Sequence, residues 1–214
     1  LKYNLITPEN LNEKMLHIKE SIKNRPVWIA GSTHQGEEEV ILQAHNEILK
    51  TQPNCLLIIV PRHKERFTKV EKIIANHDLS LQKRSSFKNE IYSHSQVYLG
   101  DTMGELLHLY YISDITFVGG TLIDNGGHNL LEPAALNKPI ISGTSLYNFS
   151  QISKALVKNK ALKRVRNSTE LATEILALFN DRKELEQMAN NSYKTFKDHS
   201  NVLEQQYNEI VKFL

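Results

Sequence analysis

The sequence predicts an α/β domain: a parallel sheet with helices on both faces. Two observations carry this expectation. Short apolar runs at 27–30 (VWIA), 55–60 (CLLIIV), 115–119 (ITFVG) and 139–143 (PIISG) are continuous rather than alternating. Strands covered on both faces read that way. Between the runs lie segments whose apolar residues recur at helical spacing, so that strand and helix alternate along the chain as in doubly wound sheets.

Taken in order, a helix is expected over 9–22, then the 27–30 strand and a helix over 37–49. The 55–60 strand leads into a helix over 64–76. A weaker strand at 97–100 (VYLG) precedes a helix over 103–112, opened by Thr102 and Glu105 at the spacing of a capping box. After 115–119, a short helix begins near Leu131 or Glu132. The 139–143 strand is followed by a helix over 149–158, a weaker strand at 162–165 (LKRV) and a helix over 169–179. A hydroxyl at Ser168 or Thr169 is expected to cap that last helix. Residues 182–214 read as a polar helix packing one face on the body or on a further domain.

The totals bound the function. The chain has 214 residues, enough for a sizeable core, with 40% hydrophobic and 23% charged residues, as in ordinary globular proteins. A formal charge of +2 argues against a nucleic-acid partner. The single cysteine, Cys55, sits in a strand pattern and reads as a buried, inert thiol. No apolar run is long enough to span a membrane. The start, LKYNLITPEN, has neither an initiator Met nor a signal-peptide pattern, which suggests a piece of a longer protein. There is no GxGxxG after the first strand, no P-loop motif, no HExxH, no paired cysteine ligands and no GxSxG elbow. Dinucleotide, P-loop, zinc and serine-hydrolase readings therefore lack their motifs, and no metal is expected.

Open parallel sheets bind ligands beyond the carboxyl ends of their strands, so the residues after each run are the candidates. After the first run stand Gly31, Ser32, Thr33, His34, Gly36 and Glu37. Small residues there allow close approach, and helix-start N–H groups can meet an anion. Glu38 and Glu39 read mainly as a solvated acidic turn. After the second run, Arg62 offers a fork of donors suited to phosphate or carboxylate, and His63 can hydrogen-bond or stack on a base. Arg66 is either a third contact or a solvated helix residue. Gly100 and Asp101 form a turn that leads to Met103 and Gly104 at an expected helix N-terminus. The richest stretch is GGTLIDNGGHNLLEPA, 119–134. Gly126 and Gly127 permit positive φ, so backbone N–H groups can wrap a ligand oxygen. Asn129 can hold the loop or touch ligand, and Glu132 can take two vicinal ribose hydroxyls.

The segments VWIAGSTHQGEEEVILQAH, LLIIVPRHKERF, LGDTMGELLHLYYISDITFVGG, GGHNLLEPAALNKPIISG and YNFSQI closely resemble the C-terminal half of the bacterial 3-deoxy-D-manno-octulosonic acid (Kdo) transferases. The resemblance covers nearly the whole chain. It implies a two-domain GT-B glycosyltransferase whose Rossmann-like C-terminal domain binds CMP-Kdo. The N-terminal domain of such enzymes takes the lipid A precursor at the cytoplasmic face of the inner membrane, building the lipopolysaccharide inner core without metal or cofactor. On this resemblance, residues 1–22 are a crossover segment and first helix, 23–200 the CMP-Kdo domain, and 201–214 a helix packing toward the N-terminal domain. Carried over, Ser32 and Thr33 belong to the first donor-side loop, and Arg62 and His63 lie near CMP. Met103, Gly104 and Glu105 lie along the nucleotide, while Asn129 and Glu132 match HNxLEP, with Glu132 on the ribose. Leu130 departs from the family's usual proline. The family's catalytic base lies in the N-terminal domain, so this piece is expected to bind donor without catalysing transfer. Two other readings stay open: a UDP-sugar transferase or epimerase domain, and a non-catalytic Rossmann-like interaction module.

Overall fold

The computed structural model describes residues 8–86 and 90–211, with side chains described for 15–86 and 90–200. Seven parallel strands form one sheet: β1 (Val27–Thr33), β2 (Leu56–Pro61), β3 (Leu81–Lys83), β4 (Val97–Leu99), β5 (Ile115–Val118), β6 (Ile140–Ser142) and β7 (Leu162–Arg164). Among the described residues eight α-helices accompany them: α1 (Pro8–Ile22), α2 (Glu37–Leu49), α3 (Phe67–Ala75), α4 (Leu106–Ile112), α5 (Leu131–Ala135), α6 (Ser150–Lys158), α7 (Ser168–Asn180) and α8 (Arg182–Val211). The strand order is β3-β4-β2-β1-β5-β6-β7. The winding reverses beside β1, between β2 on one flank and β5 on the other, which places the ligand crevice of such sheets at their carboxyl ends.

Burial on both sides explains the continuous apolar runs. Every residue of β1 and β2 is buried. Trp28, Ala30, Leu57 and Ile59 pack one way, against Ile41 and Ile48 of α2, Val70 and Ile74 of α3, and Ile175 of α7. Val27, Ile29, Leu56 and Ile58 pack the other way, against Met15 and Ile18 of α1 and Leu109 and Tyr110 of α4. A third cluster joins Val118, Ile140 and Leu162 to α5 and α6. Cys55 is buried, and burial pushes its thiol up to about 12, in keeping with an inert group.

Several expectations need correction. β3 has no apolar run: it is a short edge strand whose buried Gln82 is held by the Glu90 carbonyl, the Tyr92 N–H and the Ser95 hydroxyl. The capping box at Thr102 does not form. The Thr102 hydroxyl donates to the Glu105 carboxylate, Gly104 is left-handed at φ 82°, and α4 starts at Leu106 rather than near 103. The cap of α7 is Asn167, whose side chain accepts from Glu170 N at 2.9 Å, not a hydroxyl at 168 or 169. Residues 64–66 form a 3-10 turn before α3. In α8, Met188, Ala189, Ser192 and Thr195 are buried against the body. Residues 1–7 of the expected crossover, and the packing of 201–214, lie outside the described residues.

Candidate functional site

The carboxyl ends of β4, β2, β1 and β5 form one rim, and its loops are held by an inner layer of charges. At the end of β1 the register with β2 shifts between Gly31 and Thr33, leaving Ser32 left-handed at φ 57°. Such a bulge re-aims the next side chains along the strand. Thr33 is fully buried and donates its hydroxyl to Glu38 at 3.2 Å. Its carbonyl accepts the Arg62 N–H at 3.0 Å. Thr33 therefore acts on the rim by placing Arg62, and its own side chain faces inward. Gly119 is required because a Cβ there would stand 2.5 Å from the Ser32 carbonyl oxygen.

Of the expected solvated turn only Glu39 is exposed: Glu38, like Glu37 before it, is fully buried. The Glu37 carboxylate accepts the N–H groups of His34 (2.9 Å), Gly120 (2.7 Å), Thr121 (3.0 Å) and Leu122 (3.0 Å). The loop after β5 thus does make an anion nest, and the chain fills it with its own glutamate. Glu38 faces Arg66, with Oε2 2.9 Å from Nη2. The contact is a buried ion pair with imperfect hydrogen-bond alignment. Burial raises the Glu38 carboxyl, and Arg66 and Thr33 oppose that rise. Arg66 is therefore neither a solvated residue nor a free contact. It belongs to the support.

The glycine pair is spent in the same way. Gly126 and Gly127 are both left-handed, at φ 79°, as expected of turn glycines. The Gly126 N–H goes to the Ser145 hydroxyl at 3.0 Å and the Gly127 N–H to the Gly120 carbonyl at 2.8 Å. These glycines shape the loop, and their N–H groups are engaged within it. Asn129 accepts the Leu131 N–H at 3.0 Å and donates to Glu132 at 3.3 Å, so it opens α5 and orients the carboxylate. On the far flank Glu105 forms a two-point pair with Arg84, at 2.8 and 3.0 Å, which holds its carboxyl below the usual range. It braces the loop after β4.

What remains open is an outer layer. Arg62 and His63 are exposed at the end of β2. Met103 is 60% exposed, and next to it nothing lies within 4 Å of a Cβ built on Gly104. Glu132 is half-buried; burial raises its carboxyl, while Asn129 and the Arg62 charge pull it back. His34, a candidate after the first run, and His128, within the 119–134 stretch, join this layer. His34 and His128 meet end to end with Nε2 atoms 2.7 Å apart and ring planes 12° from parallel, and His63 meets His34 edge-on at 5.5 Å between ring centroids. Burial and neighbouring positive charge push His128 down to about 4 and lower His34 as well. Sequence places His34 in the first loop but carries no signal that a residue 94 positions away meets it. The outer layer offers one arginine, three imidazoles and one carboxylate set to accept hydroxyls, an arrangement suited to an anionic nucleotide. Among the described residues no group of three or more His, Cys, Asp or Glu is placed to hold a metal ion, and no helix is long and apolar enough to cross a membrane.

Residues 32–195 match the family of glycosyl transferases group 1. The chain is 41% identical, over 208 residues, to the 3-deoxy-D-manno-octulosonic acid transferase of Haemophilus influenzae, covering 95% of this chain and 48% of that protein. It is 40% identical over 163 residues to a bifunctional glycosyltransferase/methyltransferase of Fusobacterium nucleatum, covering 76% of this chain and 25% of that one. The chain spans about half the length, or less, of these curated relatives. Among solved structures, the C-terminal CMP-Kdo binding domain of WaaA from Acinetobacter baumannii superposes with a TM-score of 0.81 at 33% identity, over 88% of this chain and 96% of that domain. The expected Rossmann-like, GT-B C-terminal architecture is thereby established. The chain belongs to the group 1 glycosyltransferases and, within them, to the Kdo transferase family.

Proposed function

We propose that this chain binds CMP-Kdo on the outer layer of its rim, as the donor half of an enzyme that transfers Kdo to a lipid A precursor. The observation that carries the reading is the split between neighbouring arginines. Arg66 is consumed by Glu38, whereas the ion pairs found among the described residues do not include Arg62. Arg62 stands exposed within electrostatic reach of Glu132, His34 and His128. In this reading Arg62 and the histidines take the phosphate, Glu132 takes the ribose hydroxyls, and the turn at Met103 and Gly104 lies along the nucleotide.

The chemistry is one of charge. When the bond from the Kdo anomeric carbon to the phosphate oxygen breaks, its electron pair leaves with CMP, and the phosphate gains negative charge. A cation already oriented toward it stabilises that charge without reorganisation. The acceptor hydroxyl forms the new bond and gives its proton to a base that the family resemblance assigns to the other domain. The reading calls for no metal and no cofactor. It places the whole enzyme at the cytoplasmic face of the inner membrane, where its lipid acceptor resides.

Calorimetric titration with CMP, UMP and UDP tests this proposal. Preferential binding of CMP is expected. Preference for a uridine nucleotide would instead favour the UDP-sugar reading, and no binding of any nucleotide would favour an interaction module.

A further inference from the structure

The contact between His34 and His128 has a proton balance that the rest of the site does not share. Two imidazole Nε2 atoms at 2.7 Å bond only if one carries a proton and the other presents its lone pair. One proton therefore serves two facing nitrogens. The surroundings keep it so. Around the pair stand Glu37 from α2, Arg62 and His63 from the loop after β2, and Arg66 from the adjoining turn. Glu37 is occupied by four N–H groups and Arg66 by Glu38, which leaves Arg62 and His63 as the open cations or donors beside the rings. Asn125 Nδ2 lies 3.4 Å from His34 Nε2.

An anion arriving at this rim reverses the balance. A phosphate or carboxylate oxygen has only lone pairs to offer and needs N–H donors from both rings. The nitrogen that accepted from its partner must then gain a proton, and where that ring keeps its Nδ1–H the proton comes from solvent. We propose that His34 and His128 form a proton-coupled anion clamp, in which their mutual hydrogen bond gives way to two N–H donors and donor binding takes up a proton. The inference rests on the CMP-Kdo reading above and deepens it. The donor has two groups of this chemistry, the phosphate of CMP and the carboxylate of the sugar. The low basicity of both rings is the expected counterpart, because crowding by burial and positive charge is what an anion relieves.

The sign comes from linkage. A group whose pKa is raised by the ligand makes binding tighter as pH falls. Uptake of half a proton near pH 6.5 gives about a threefold gain in affinity per pH unit downward. The phosphate of free CMP titrates near pH 6, and a cationic site that favours its dianion releases protons. Net uptake therefore reports on the protein.

The test is calorimetric titration at pH 6.5 in two buffers of different ionisation enthalpy, using CMP, cytidine, and CMP with free Kdo. Side-chain nitrogen NMR of the histidines accompanies it. Uptake with CMP but not cytidine, with one imidazole becoming imidazolium-like, is expected if the phosphate is the anion. Uptake only when Kdo is added identifies the carboxylate. The variant His128→Gln, which keeps a donor without titrating, is expected to bind CMP with no uptake and with an affinity that no longer rises as pH falls. Binding of CMP with and without Kdo, with no uptake and histidine signals either unchanged or showing only a tautomer shift, overturns the clamp while leaving the donor reading intact. No CMP binding at any pH overturns both.

Discussion

Arg62 and Arg66 stand four positions apart on one loop and meet opposite surroundings. Arg66 lies in the inner layer, paired with a fully buried glutamate. Arg62 lies in the outer layer, exposed, with only its backbone N–H tied down by Thr33. The same division separates Glu37, enclosed by four N–H groups, from Glu132, held by one amide and open on its other side. Charges of the inner layer are answered within the chain, so their substitution acts on folding. On the proposed reading, charges of the outer layer are left for a ligand, so their substitution is expected to act on binding.

The largest expected effect tests the inner layer. Glu37→Ala strands several buried N–H groups together and is expected to destabilise the fold by about 5 kcal/mol, read from urea denaturation. Arg66→Met leaves Glu38 buried without its cation and is expected to cost about 4 kcal/mol, much of it recovered in the double variant with Glu38→Gln. If Arg62→Met, in the same assay, lost as much as Arg66→Met, the division into layers would be wrong. A stability change within about 0.5 kcal/mol is expected for it, as for exposed positions generally.

Acid sharpens the contrast between two histidines pushed to about the same value. His45 lies under the sheet, fully buried, and is pushed down to about 4. Its Nδ1 accepts from the Trp28 indole at 3.2 Å, so Nε2 carries the proton and donates to the Gln96 carbonyl at 3.0 Å. The unfolded state binds a proton near pH 6.5 that the folded state refuses, so stability is lost as pH falls from about 6.5 toward 4. The loss from this residue is about 3 kcal/mol by pH 4. Denaturation midpoints at pH 7 and pH 4.5 check it, and His45→Gln is expected to flatten the difference. His128, half-buried at the rim, is expected to add a smaller loss over the same range, because solvent screens its ring, and to change nucleotide binding as well.

The smallest effects belong to the outer layer. Arg62→Ala is expected to weaken CMP binding by about tenfold or more, and Glu132→Gln by about fivefold, on the scale of one or two charge-assisted hydrogen bonds.

How far the sequence reveals this molecule depends on whether a feature is local. β1 and β2 are legible because burial on both faces leaves an unbroken apolar run, and α2 because its apolar residues keep helical spacing. β3 is not, since its buried residue is a glutamine satisfied by groups from 90 to 95. The start of α4 moves to Leu106 because Glu105 turns to Arg84, twenty-one positions back. Of the site, Arg62, His63 and Glu132 are legible from their places after strands. The inner layer is not: Glu38 sits in an acidic run that reads as solvent-facing, and Glu37's partners at 120–122 come from the other side of β1. The His34–His128 contact is hidden for the same reason.

The central claim is that a donor nucleotide is held by outer-layer charge on a rim whose inner charges serve the fold. Its most direct test is calorimetric titration of CMP into the wild-type chain and into Arg62→Ala, with the denaturation midpoint of each measured alongside. The account predicts CMP binding by the wild type, at least about tenfold weaker binding by the variant, and equal midpoints. Equal CMP affinity for the two chains would contradict it.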